Sequence, residues 1–213
     1  MKTARLVSTA TALVVAASLF LAPGRAQVGQ GIGDLNGMPE SALAALPGLN
    51  ATIAKALIAA RPFPTVVEAD AFLKAQQVTD ANRVAIYERA FVHLNLNTAT
   101  AAEVNLIPRV GRRMAHEFEE YRPWVSFAQF DREIGKYVDT TEVNRLKQYT
   151  FIPLDLNTAT DEQFRTIPHL GSNMVHEFKE YRPWRTQAQF EREIGKYVDA
   201  KEVARLWRFV VIK

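Results

Sequence analysis

The chain contains no cysteine. Disulfides, thiolate metal ligands, a cysteine nucleophile and lipid attachment at an N-terminal Cys are therefore excluded. Stability has to come from an apolar core, which a chain of 213 residues can build. Long apolar runs are also lacking: the main one, Ala12–Leu21, falls well short of the roughly 20 residues a membrane-spanning helix needs. No P-loop, dinucleotide fingerprint or nucleophile motif is found, so no enzyme is expected.

A surplus of charge is missing too. The whole chain carries +3, but Lys2, Arg5 and Arg25 all lie in the first 26 residues and no acid does. The remainder balances at 23 basic and 23 acidic side chains. A nucleic-acid binder usually has a clear basic excess, so such a function here must rest on local patches. Residues 1–26 combine a basic start, a short apolar stretch and small residues before position 27. These are the marks of a secretory signal peptide and predict export to the periplasm, with no stable membrane insertion after cleavage. Residues 27–33, rich in Gly and Gln, read as a flexible leader.

What is abundant is repetition. Three units of about 60 residues, 34–93, 94–153 and 154–213, begin at Leu35-Asn36, Leu96-Asn97 and Leu156-Asn157. The second and third match at more than half of their aligned positions, most plainly in LNTATAAEVNLIPRVGRRMAHEFEEYRPW (96–124) and LNTATDEQFRTIPHLGSNMVHEFKEYRPW (156–184). Thr100 with Glu103, Ser126 with Gln129, Thr160 with Gln163 and Thr186 with Gln189 read as capping boxes, as does Thr65 with Glu68 in the diverged first unit, where Pro39 takes the first capping position. Met114, Ala115, Phe118 and Tyr121 share one helical face. Arg122-Pro123 should end that helix. Pro108–Gly111 and Pro168–Gly171 are tight turns, and Gly135–Asp139 and Gly195–Asp199 are second hairpins. Four short helices per unit predict an all-α protein.

The LNTAT segment, the Ile-Pro-x-x-Gly turn and a second hairpin some 25 residues later resemble the helix-hairpin-helix domain of the ComEA competence DNA-receptor family. The resemblance implies tandem (HhH)2 domains, small helical bundles of SAM-like type. It also implies binding of double-stranded DNA without sequence preference and a role beside envelope DNA-uptake proteins. The residues it points to are Gly48, Leu49 and Asn50; Arg109, Val110, Gly111, Arg112 and Arg113; and His169, Leu170, Gly171, Ser172 and Asn173. The family turn is usually Pro-Gly-apolar-Gly. Here Arg109 and His169 replace the first glycine and Asn50 the second, and the arginines rank the second unit first. A glycine turn leading into a helix exposes backbone N–H groups with no intrahelical partner, at the positive end of the helix dipole, which suits a phosphate. No cofactor is expected, the hairpins being where a monovalent cation could sit.

The alternative is a non-catalytic envelope module that uses the same fold to hold a protein, as the similar lumenal subunit of photosystem II does. His116 with Glu120 and His176 with Glu180 have metal-ligand spacing, but no third ligand is evident, so they read as helix-surface pairs. Phe118, Tyr121, Trp124 and Phe130 follow the helical period and read as core. Glu117, Glu120, Glu133 and Asp139, interspersed with Arg and Lys, read as a solvated face.

Overall fold

The computed structural model describes residues 27–213; the expected export segment, 1–26, lies outside them. The described chain is mostly helical, with twelve short helices and six two-residue strands in an order that occurs three times. The first pass comprises β1 (Gly33–Asp34), α1 (Glu40–Ala44), α2 (Ala51–Ala60), α3 (Val66–Ala75), α4 (Asp80–Tyr87) and β2 (Ala90–Phe91). The second is β3 (Leu94–Asn95), α5 (Ala101–Val104), α6 (Arg112–Glu120), α7 (Phe127–Ile134), α8 (Thr140–Lys147) and β4 (Thr150–Phe151). The third is β5 (Leu154–Asp155), α9 (Asp161–Phe164), α10 (Ser172–Glu180), α11 (Gln187–Ile194), α12 (Ala200–Trp207) and β6 (Val210–Val211).

The strands qualify the all-α expectation. Leu94 pairs with Thr150 and Asn95 with Phe151, in parallel, and the same register joins β1 to β2 and β5 to β6. Parallel strands need a long crossover, and the four helices of each repeat supply it. Each repeat is thereby tied end to end.

The repeated motifs fasten the same enclosure. The Asn97 amide donates to Trp124 O at 2.9 Å and accepts from Trp124 N at 2.7 Å. Asn157 does the same for Trp184, and Asn36 for Phe63. The Arg122 guanidinium bonds Leu96 O and Ala99 O, as Arg182 bonds Leu156 O and Ala159 O. The Arg-Pro bond in each motif is cis.

Nine helices carry a side-chain cap, and α5 and α9 complete the capping box. At α7 the box is not closed: Ser126 accepts from Gln129 N, but Gln129 Oε1 reaches the preceding amide of Val125 at 2.9 Å. The first two repeats share one apolar core that includes Leu57, Phe91, Phe118 and Trp124. A second core gathers Phe164, Phe178 and Trp184 with Phe151 and Val28.

Val28 belongs to the leader, which is seated and not a free tether. Its side chain is fully buried, it bridges Phe151, and Gly29 N donates to Thr150 O while Ile152 N donates to Gln27 O. A Cβ on Gly29 would lie 1.9 Å from Lys147 O. The solvated reading of the acids holds for the exposed Glu120 and Asp139 but needs correction at Glu117 and Glu133. Glu117 and Glu133 are 5% and 8% exposed, and Asp139 is the cap of α8.

Candidate nucleic-acid interface

The equivalent turn residues Gly48, Arg109 and His169 share a left-handed backbone, with φ of 72°, 62° and 60°. Glycine adopts this freely; arginine and histidine hold it at a cost of roughly 1 kcal/mol. The apolar residue that follows, Leu49, Val110 or Leu170, is half-buried and packs on the core, anchoring the turn. Beyond this point the three turns diverge.

At the second and third turns the next residue is Gly111 or Gly171, each the N-cap of its helix and each without a side-chain cap. Their φ values of −106° and −73° suit any residue, and a Cβ on either would meet nothing within 4 Å. Neither backbone conformation nor packing demands glycine there. Among the described residues, the amides of Gly111, Arg112 and Arg113 have no hydrogen-bond acceptor, nor do those of Gly171, Ser172 and Asn173. All six residues are exposed, and neither first turn holds an acid.

The first turn is closed instead. Asn50 Oδ1 accepts from Ile53 N at 2.9 Å, occupying a donor that an anion would use, and a Cβ on Gly48 would lie 2.3 Å from Asn82 Nδ2. The second hairpins are closed by charge, since the Asp139 and Asp199 carboxylates accept from Glu142 N and Glu202 N at 2.9 and 2.8 Å. Gly48, Leu49 and Asn50 are thus placed at a turn that caps itself.

Around the second turn, Arg109 and Arg112 are exposed, and the Arg113 guanidinium stands 4.9 Å from the Tyr137 ring centroid and 3.7 Å from Glu117. A cleft of about 210 Å³ separates this turn from Tyr137 and Val138 of the second hairpin. The Tyr137 hydroxyl shares a 2.8 Å hydrogen bond with Tyr121, and that bond together with Glu117 pushes its phenol well above the ordinary value. Lys136 lies over the Tyr121 ring at 5.0 Å. Nothing in the one-letter pattern placed Tyr137 beside Arg113; that neighbour comes from the packing of two hairpins.

The third turn has Ser172 and Asn173 where the second has two arginines, and its His169 ring lies against the first repeat, 2.2 Å from where a Cβ on Gly37 would stand. On α10, His176 Nε2 meets Glu180 at 2.9 Å, and Glu177 brings a third possible ligand within 4.8 Å of the other two. The sequence reading missed Glu177, which adjoins His176. His176 and Glu180 are exposed while Glu177 is half-buried, and the equivalent His116 and Glu120 are 3.3 Å apart. No family model matches the chain, and neither a curated protein nor a solved structure matches it.

Proposed function

We propose that each repeat is a double helix-hairpin-helix unit of the ComEA-like type and that the protein binds double-stranded DNA without sequence preference. In this reading the phosphates are taken by the open N-termini of α6 and α10, with Arg109, Arg112 and Arg113 strengthening the former, and the protein works outside the inner membrane in DNA uptake. The observation that carries the proposal is the pair Gly111 and Gly171. Among the described residues, nine of the other ten helices are closed by a Thr, Ser, Asn or Asp side chain, α1 behind Pro39 being the exception, whereas these two begin at glycines that the fold does not need. Close approach of an outside group to the backbone would explain both. Backbone amides carry no base information, so such contacts position the protein without reading sequence.

Gel-shift titration on random duplexes at two salt concentrations tests this. Each phosphate neutralised should add about 0.9 to the slope of log K against log salt. Arg112→Glu with Arg113→Glu should weaken binding at least tenfold, on the order of the 1.4 kcal/mol that a factor of ten represents. Absence of binding at low salt, or binding with no salt dependence, would favour the protein-interaction alternative.

A further inference from the structure

We propose that the free edge of β6, with the groove between α11 and α12 beside it, receives an extended segment of a partner protein in which a β-branched residue is followed by glycine and then by a basic residue. The site lies away from the hairpin turns and does not depend on DNA binding.

The second repeat supplies the template. Outside its pairing with β3, β4 offers two backbone groups, Thr150 O and Ile152 N, and the leader takes both. Gly29 N donates to the first at 2.9 Å, and Gln27 O accepts from the second at 2.8 Å. Val28 stands opposite Phe151 in an antiparallel bridge. In the third repeat β6 pairs with β5 in the same register, so Val210 O and Ile212 N are placed as Thr150 O and Ile152 N are. Neither has a hydrogen-bond partner among the described residues. Val211 and Ile212 are half-buried, whereas Val92, the counterpart of Ile212 in the first repeat, is fully buried. An unpaired strand edge flanked by apolar side chains is a template for a further strand.

The flanking helices agree. Where the leader passes the second repeat it borders a cavity of about 390 Å³ together with Phe127, Asp131, Asn144 and Lys147. The counterparts Gln187, Glu191, Ala204 and Trp207 line a groove of about 480 Å³, bounded only by α11, α12 and the hairpin between them. Two features select the occupant. A Cβ on Gly29 would stand 1.9 Å from Lys147 O, and Trp207 O holds the same place at the end of α12. The residue after the bridging one therefore has to be glycine. Charge selects the next position. Lys147 pairs with Asp131 at 2.6 Å in the second repeat. With Trp207 in place of Lys147, Glu191 keeps only the Gln187 amide at 2.9 Å and has no ion pair among the described residues. A basic side chain at the position of Gln30, which borders the same cavity as Asp131, restores the missing charge. The leader of a second copy carries Gln at that position and is engaged at its own β4, so the segment belongs to another protein.

The probe is the peptide Gln-Val-Gly-Lys-Gly, blocked at both ends and titrated into the purified protein. Trp124 and Trp184 are buried, so a change in emission reports Trp207 in the groove. Emission should shift saturably to the blue, and the amide signals of Val211 and Ile212 should move in nuclear magnetic resonance spectra. Replacing the peptide's glycine with alanine should weaken binding about tenfold. Glu191→Gln should weaken it severalfold at low salt and by less at high salt. Ile212→Pro, which removes the N–H, should abolish binding. Four results would each overturn the proposal: no saturable change at millimolar peptide; equal binding of the alanine peptide; shifts centred on Ile152, where the peptide would have displaced the leader; or a dimer in solution that the peptide disperses, which would give the edge to a second copy. Should Ile212→Pro fail to fold, the glycine and alanine peptides compared on the unaltered protein decide the matter.

Discussion

Asn97 and Trp124 lie 27 residues apart, yet one amide side chain satisfies both backbone groups of the tryptophan. Replacing it with alanine leaves a donor and an acceptor unpaired in a partly buried place, and each such group costs about 1–3 kcal/mol. Asn97→Ala should therefore destabilise by roughly 2–4 kcal/mol in urea unfolding, and Asn157→Ala by a similar amount. A loss below about 0.5 kcal/mol would mean that water replaces the amide. The turn residues behave in the opposite sense. Arg109 holds a φ of 62° that glycine adopts without penalty, so Arg109→Gly should raise stability by up to about 1 kcal/mol while lowering DNA affinity. One substitution thus separates what the turn needs for folding from what it offers a phosphate.

Helices in this chain are short, so their ends matter as much as their faces. The caps were legible because Thr-x-x-Glu and Thr-x-x-Gln act over three residues, and Thr100 and Thr160 sit where that spacing put them. Gln129 and Gln189 were misread because the same side chain can also reach the amide one residue earlier. The open ends of α6 and α10 give an element-scale prediction. Gly111→Asp would cap α6 with its own carboxylate, as Asp139 caps α8, and should hold or raise stability by a few tenths of a kcal/mol. The same carboxylate should repel phosphate and reduce DNA binding at least as far as Arg112→Glu with Arg113→Glu does. Binding that survives the change would remove α6 from the interface. Between α3 and α4, burial by itself would raise the Asp70 carboxyl, but hydrogen bonds from Lys74, Tyr87 and Arg83 bring it below the ordinary 3.8. A group depressed in the fold contributes stability above its unfolded pKa and loses it as pH falls through the folded value. The urea midpoint should therefore drop between pH 5 and pH 2, and Asp70→Asn should flatten that drop.

Across the whole molecule, the threefold repeat and the helical class could be read directly, because 60-residue periodicity and apolar spacing are written into the chain. The parallel ladders could not. Two-residue strands such as Leu94–Asn95 and Thr150–Phe151 show no alternation, and their partners lie at opposite ends of a repeat. The leader was misread for a related reason: Gln and Gly describe a flexible segment by composition, while its anchorage rests on one residue, Val28, and on backbone groups that composition does not reveal. Those backbone groups use the edge of β4 that β3 leaves free, so the leader extends the second repeat's ladder while Val28 enters the third repeat's core. It therefore adds to the link that Phe151 of the second repeat already makes by entering the third repeat's core against Phe209. Val28→Asp would bury an unpaired carboxylate and should cost about 3 kcal/mol or more. If the leader is the fastening, hydrogen exchange should quicken first at Gly29 and Ile152, whose amides donate to Thr150 O and Gln27 O respectively across this junction, and only later within α6. Uniform loss of protection over all three repeats would instead show that the molecule opens as one unit.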